Sequence, residues 1–182
     1  HQVDQIGVGN NYACARSGGR VFCWGDGYRL GVSLPRLGPW DSAVPIEIDM
    51  SGVLAGKTIT DLDVGPATAC VVADGKPFCW GANGSFALGA GTDIGTSEVP
   101  LAVVTSGALA GKAVTDLVVG AGTVCVLAAG APYCWGANVS GQFGAGYVGG
   151  FDLPVATYVD GALAGRTITG LGGGGPCFFA IT

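Results

Sequence analysis

Only one histidine occurs in the 182 residues, and it is His1 at the terminus. Ser-His-Asp and Cys-His catalysis are thereby close to excluded, because each needs an imidazole held beside its nucleophile. Charge is scarce: Asp, Glu, Lys and Arg make up 12% of the chain, and the net charge is −5. There is no run of Lys or Arg, so nucleic acid and anionic membrane surfaces are poor partners. Low charge argues against charge-rich disorder, and 35 glycines argue against a helical bundle. No apolar signal stretch opens the chain, which starts on His rather than Met; this reads as a processed chain or an excerpt of a longer one. The uncharged run from Leu117 to Phe151 is long enough to span a bilayer. It contains Pro132 and many glycines, and its counterparts elsewhere in the chain carry Arg16, Arg20, Asp74 and Lys76, so it reads as strands and turns.

What the chain does have is cysteine in a pattern. "ACARSGGRVFCW" (13–24), "ACVVADGKPFCW" (69–80) and "VCVLAAGAPYCW" (124–135) share one shape: an apolar stretch, a two-residue turn, a second apolar stretch, then Cys-Trp-Gly. Gly18-Gly19, Asp74-Gly75 and Ala129-Gly130 suit the centre of a hairpin turn, where positive φ is wanted. Counting outward pairs Ser17 with Arg20, Arg16 with Val21, Ala15 with Phe22 and Cys14 with Cys23. Bonded and non-bonded pairs alternate from the turn, so the cysteines meet at a non-bonded pair, where the Cα atoms are closest. The same count joins Cys70 to Cys79 and Cys125 to Cys134. Buried free thiols would not recur opposite one another, and zinc ligands usually stand two to four residues apart. Three cross-strand disulfides are expected, and with them an oxidising, extracellular or cell-surface location.

The hairpins belong to a longer repeat of about 55 residues. "SGVLAGKTITDLDVG" (51–65), "SGALAGKAVTDLVVG" (106–120) and "DGALAGRTITGLGGG" (160–174) align without gaps. A Val-Pro or Leu-Pro strand follows each Cys-Trp-Gly, at Pro45, Pro100 and Pro154. Each unit reads as four short strands; in the second they are Thr58–Val64, Ala69–Ala73, Pro77–Trp80 and Val99–Val103. Tandem four-stranded sheets of this size are the blades of an all-β propeller, with a β-solenoid as the structural alternative. The units are assigned as repeat 1 (1–54), repeat 2 (55–109), repeat 3 (110–164) and an incomplete repeat 4 (165–182), or twelve strands plus two.

"CWGANVSGQFGAG" (134–146), followed by a Leu-Pro strand and "LAGRTIT", resembles the repeat of the regulator of chromosome condensation family, most closely its bacterial, cysteine-bearing branch. The resemblance covers nearly the whole chain. It implies a seven-bladed propeller about twice this length, of which about three and a half four-stranded antiparallel blades are present. Two departures stand out. The first unit's "WGDGYRLG" (24–31) is one residue shorter, and the tail "TGLGGGGPCFFAIT" (169–182) is two residues short between its Thr and Cys.

No catalytic constellation assembles, and no metal site or cofactor is expected. Cys177 reads as half of an absent fourth disulfide rather than a nucleophile, with no intrachain partner. Asp61 and Asp116 share a repeat position, and Asp63 lies on the same strand face as Asp61; a solvated strand end explains them better than acid–base or calcium chemistry. "GLGGGGP" (170–176) lacks the helix and the Lys that a phosphate cradle needs. Asn83 and Asn138 satisfy the glycosylation sequon, but both also occupy the turn position after Trp-Gly. Trp24, Trp80 and Trp135 recur at one position and are expected to pack blades.

The expected function is a non-catalytic extracellular propeller segment, serving as a protein-interaction scaffold or a surface-structure component. The alternatives are a secreted enzyme inhibitor, a subunit of an extracellular filament and, least favoured, a guanine-nucleotide exchange factor for a small GTPase. A protein partner or self-assembly is expected, through the loops or an open blade edge; nucleic acid, a membrane span and small-molecule ligands are not. Hairpins and linkers barely change between units, whereas the segments after Trp-Gly diverge. Tyr28, Arg29, Arg36 and Trp40 in the first, with Phe86, Tyr147 and Phe151 in the next two, are the expected contact residues.

Overall fold

The structure, a computed structural model, describes residues 2–33, 41–160, 163–175 and 177–182. It contains three four-stranded antiparallel sheets and a two-stranded one. The first sheet is β1 (Gln5–Val8), β2 (Tyr12–Ser17), β3 (Arg20–Gly25) and β4 (Ser42–Glu47). The second is β5 (Ile59–Val64), β6 (Thr68–Ala73), β7 (Lys76–Ala82) and β8 (Thr96–Ala102). The third is β9 (Val114–Val119), β10 (Thr123–Ala128), β11 (Ala131–Gly136) and β12 (Phe151–Ala156). β13 (Gly170–Gly174) and β14 (Cys177–Ile181) begin a fourth. Strands follow chain order within every sheet, which is the meander of a propeller blade. The uncharged run 117–151 folds as strands and turns, and no helix among the described residues is long and apolar enough to cross a membrane. "GLGGG" forms β13 rather than a loop leading into a helix.

The central hairpins follow from their turns. Gly18 and Gly19, Asp74 and Gly75, and Ala129 and Gly130 all have positive φ, as a two-residue turn with the twist of a hairpin requires. Pairing then runs as counted, and Cys14–Cys23, Cys70–Cys79 and Cys125–Cys134 close with Cα atoms 4.1 Å apart in each case.

Three expectations need correction. Pro45, Pro100 and Pro154 do not lead the outer strands but lie inside them. The ladder shifts register between Cys23 and Gly25, Cys79 and Gly81, and Cys134 and Gly136, so each outer strand bulges opposite the Trp, and a proline in that segment of an edge strand leaves no ladder bond unmade. The first loop after Trp-Gly is two residues short, not one, because Arg29 stands where Ala87 does: each carbonyl accepts the indole N–H of the next blade's Trp, Trp80 at 3.0 Å and Trp135 at 2.8 Å. In the tail, Gly173 pairs with Phe178 and Gly172 with Phe179, as Val64 pairs with Ala69 and Asp63 with Cys70. Phe179 therefore holds the hairpin-cysteine register. Cys177 sits two residues earlier, at the level of Thr68, so it is not the first half of a fourth disulfide of this kind.

The cores lie between blades rather than within them. Leu30, Ile48 and Leu54 of the first unit pack with Trp80, Phe78 and Val71 of the second, and Leu88, Val103 and Leu109 pack in the same way with Trp135, Tyr133 and Val126. Trp80 and Trp135 are fully buried, whereas Trp24, with no blade on its side, is only partly so. The two ends of the blades differ in content. At one end the segment after Trp-Gly bonds to the turn between the first two strands (Asp26 N to Asn11 O, 2.9 Å; Ala82 N to Ala67 O and Ala137 N to Gly122 O, both 2.8 Å). At the other, the linker reaches the hairpin turn of the preceding blade (Ile59 N to Gly19 O, 3.1 Å; Val114 N to Gly75 O, 2.9 Å). These ends are the loop face and the linker face.

Candidate interaction surface

The loop face is built on Trp-Gly. Gly25, Gly81 and Gly136 have φ of 105°, 98° and 95°, and a Cβ on each would stand 2.2–2.4 Å from a backbone oxygen of the facing turn. Only glycine fits there. The buried Asn two residues on then organises the loop. Asn83 accepts from Leu88 N (3.0 Å) and donates to Ile94 O (2.8 Å), and Asn138 accepts from Phe143 N (2.9 Å) and donates to Tyr147 O (2.8 Å). With both side chains buried and their amide nitrogens engaged, the sequons have no room for a glycan. In the first unit Asp26 takes over, capping a short 3-10 turn (Gly27–Arg29) by accepting from Tyr28 N at 3.1 Å. Its other oxygen is ion-paired with Arg29.

The expected contact residues fall into two groups. Tyr28 and Arg29 border a shallow cleft of about 250 Å³ with Ala82 and Thr96 of the second blade, but Arg29 is tied to Asp26. Phe86, Tyr147 and Phe151 converge at the next seam. A Cβ on Gly150 would stand 3.8 Å from the Phe86 ring, and the Tyr147 and Phe151 rings lie 5.2 Å apart. Phe86 and Tyr147 are exposed, and Phe151 also touches the buried Phe143. Arg36 and Trp40 lie outside the described residues. Phe86 has φ +63°, a left-handed conformation that costs a non-glycine residue about 1–2 kcal/mol; the equivalent residue of the third loop is Gly141 (φ +75°). Sequence reasoning chose Phe86 for its type and had no access to that strain.

The carboxylates on the innermost strands are not solvated strand ends. Gln5 Nε2 donates to Asp61 Oδ1 (2.7 Å), Val119 N to Asp63 Oδ2 (2.6 Å) and Leu171 N to Asp116 Oδ2 (2.6 Å), so each bond crosses from one blade to the next. Burial pushes Asp61 and Asp63 above the usual carboxylate range, and the neighbouring Asp116 charge adds to both. No group of three or more His, Cys, Asp or Glu among the described residues is placed to hold a metal ion.

No protein-family model matches this chain. Solved structures do. Human WBSCR16 superposes with a TM-score of 0.71 over 85% of this chain and 37% of its own, at 23% identity. Prp20p of Saccharomyces cerevisiae, described with its binding to Gsp1p and histones, gives 0.74 over 98% and 42%, at 17% identity. Yeast RCC1 (Prp20) bound by Kap60 gives 0.71 over 96% and 40%, at 14% identity. The chain has the fold of RCC1-type propeller blades. It spans about two fifths of the length of these proteins.

Proposed function

We propose that this chain is a non-catalytic propeller segment that binds another protein through its loop face, in an oxidising, extracellular setting. The observation that carries the reading is the contrast between framework and loops. Trp, Gly and the linker Leu keep their places from blade to blade, while the loops they hold display different side chains side by side. Tyr28, Phe86 and Tyr147 are exposed there at a real cost in solvation, and aromatic residues of this kind anchor interfaces. The three disulfides support the compartment, because cytosolic redox poise does not maintain such bonds.

The test is photo-crosslinking from each face. A benzophenone amino acid replaces Tyr147 on the loop face or Lys76 on the linker face, and each protein is illuminated with the exported fraction of its source cells. A discrete crosslinked partner is expected from position 147 and not from 76. Equal yields from both faces, or none from either, would overturn the proposal.

A further inference from the structure

Resting on that reading, we infer that the seam between the second and third blades docks a protein segment that sets apolar side chains beside lysine or arginine. Phe86 carries the argument. Asp74 and Ala129, the other non-glycine residues with positive φ, serve hairpin turns that demand it. Phe86 serves no hairpin, and the third blade makes the same bend with Gly141. An aromatic ring is thus kept at a strained position and left 40% exposed, where glycine would satisfy the backbone. The ring lies beside Gly150, where a Cβ would stand 3.8 Å from it in ordinary contact, and the exposed Tyr147 and Val148 extend the patch.

Among the described residues, the charges that flank this patch in the sequence are acidic: Asp93 lies on the Phe86 loop, and Asp152 directly follows Phe151. Among the described residues of the loop face the basic side chain is Arg29, held by Asp26 in its own loop. Lys57, Lys112 and Arg166, at one repeat position, and Lys76 all belong to the linker end. An apolar centre with an acidic rim favours a basic partner, and it repels acidic segments and anionic surfaces.

The experiment is selection of a phage-displayed random peptide library on the intact chain, with parallel selections on Phe86→Gly and on Asp93→Lys/Asp152→Lys. Peptides joining Leu, Val or aromatic residues to Lys or Arg should be enriched, bind Phe86→Gly at least roughly tenfold more weakly, and lose affinity between about 50 and about 500 mM salt. The double lysine variant should select acidic peptides instead. Phe86→Gly should melt within about 4 °C of the parent, since release of strain offsets lost contact. Equal enrichment on Phe86→Gly, no basic excess in the selected peptides, or a much lower melting temperature for Phe86→Gly would overturn the inference. If crosslinking from Tyr147 succeeds while this selection fails, the seam and its charge preference are wrong and the loop-face reading stands; failure of both removes both.

Discussion

Single residues carry the contacts between blades, and Asp63 shows how. Its carboxylate is largely buried and accepts the backbone N–H of Val119 from the next blade, an arrangement that needs an oxygen there but not a charge. Because burial raises its folded pKa above the unfolded value, the folded state holds the proton more tightly than the unfolded chain does. The associated stability is fully present below about pH 4 and is lost as pH rises through the folded value. Asp63→Asn keeps an acceptor and removes the buried charge. It should therefore raise the melting temperature near pH 7 and leave it unchanged near pH 3, whereas Asp63→Ala, which orphans the Val119 N–H, should destabilise by about 1–3 kcal/mol near pH 3 and by less near pH 7, where it too removes the buried charge. Thermal melts across that range decide the matter; an Asn variant that is destabilised at neutral pH would show that the charge itself holds the blades.

At the scale of the hairpin, sequence and structure agree because a two-residue turn leaves no freedom in the count: once Asp74-Gly75 is the turn, Cys70 must face Cys79. Elsewhere local counting failed for definite reasons. The outer strands start early because a bulge opposite the Trp consumes residues that a regular ladder would pair. The tail was misread because its cysteine is not the repeat's cysteine, and only pairing across β13 and β14 reveals Phe179 in that place. The bridging role of Asp61 and Asp63 was hidden because their partners lie 56 residues away, and the strain at Phe86 is a backbone property that residue type does not encode. The disulfides make a direct prediction. The six disulfide cysteines are 3% exposed or less, so a reductant has little access to their sulfurs in the folded protein. Native protein treated with dithiothreitol and then alkylated should remain unlabelled at these six positions, and all six should be labelled only when denaturant is added. Ready labelling without denaturant would mean that the hairpins open locally.

Across the whole molecule, the spacing of the blades is set by bare backbone. A Cβ on Gly9 would stand 2.7 Å from Gly65 O, one on Gly65 2.7 Å from Gly120 O, and one on Gly120 2.5 Å from Gly175 O. The same turn of every blade thus abuts the carbonyl of the same turn in the next, near the innermost strands. Positive φ is not the constraint here, since none of Gly9, Gly65 and Gly120 has it; space is. A methyl group at Gly65 or Gly120 has rigid backbone on the far side, so the blades must move apart and loosen the core around Trp80 or Trp135. Overpacking of this kind costs about 1–3 kcal/mol, which for a chain of this size lowers the melting temperature by roughly 2–4 °C per kcal/mol. Gly84 and Gly107 are the controls, because neither has positive φ and a Cβ on either meets nothing within 4 Å. Gly65→Ala and Gly120→Ala should lower the melting temperature by several degrees, while Gly84→Ala and Gly107→Ala leave it nearly unchanged. If all four behaved alike, side-chain packing at the Trp layers would have to set the distance between blades, and the glycine ladder would be incidental.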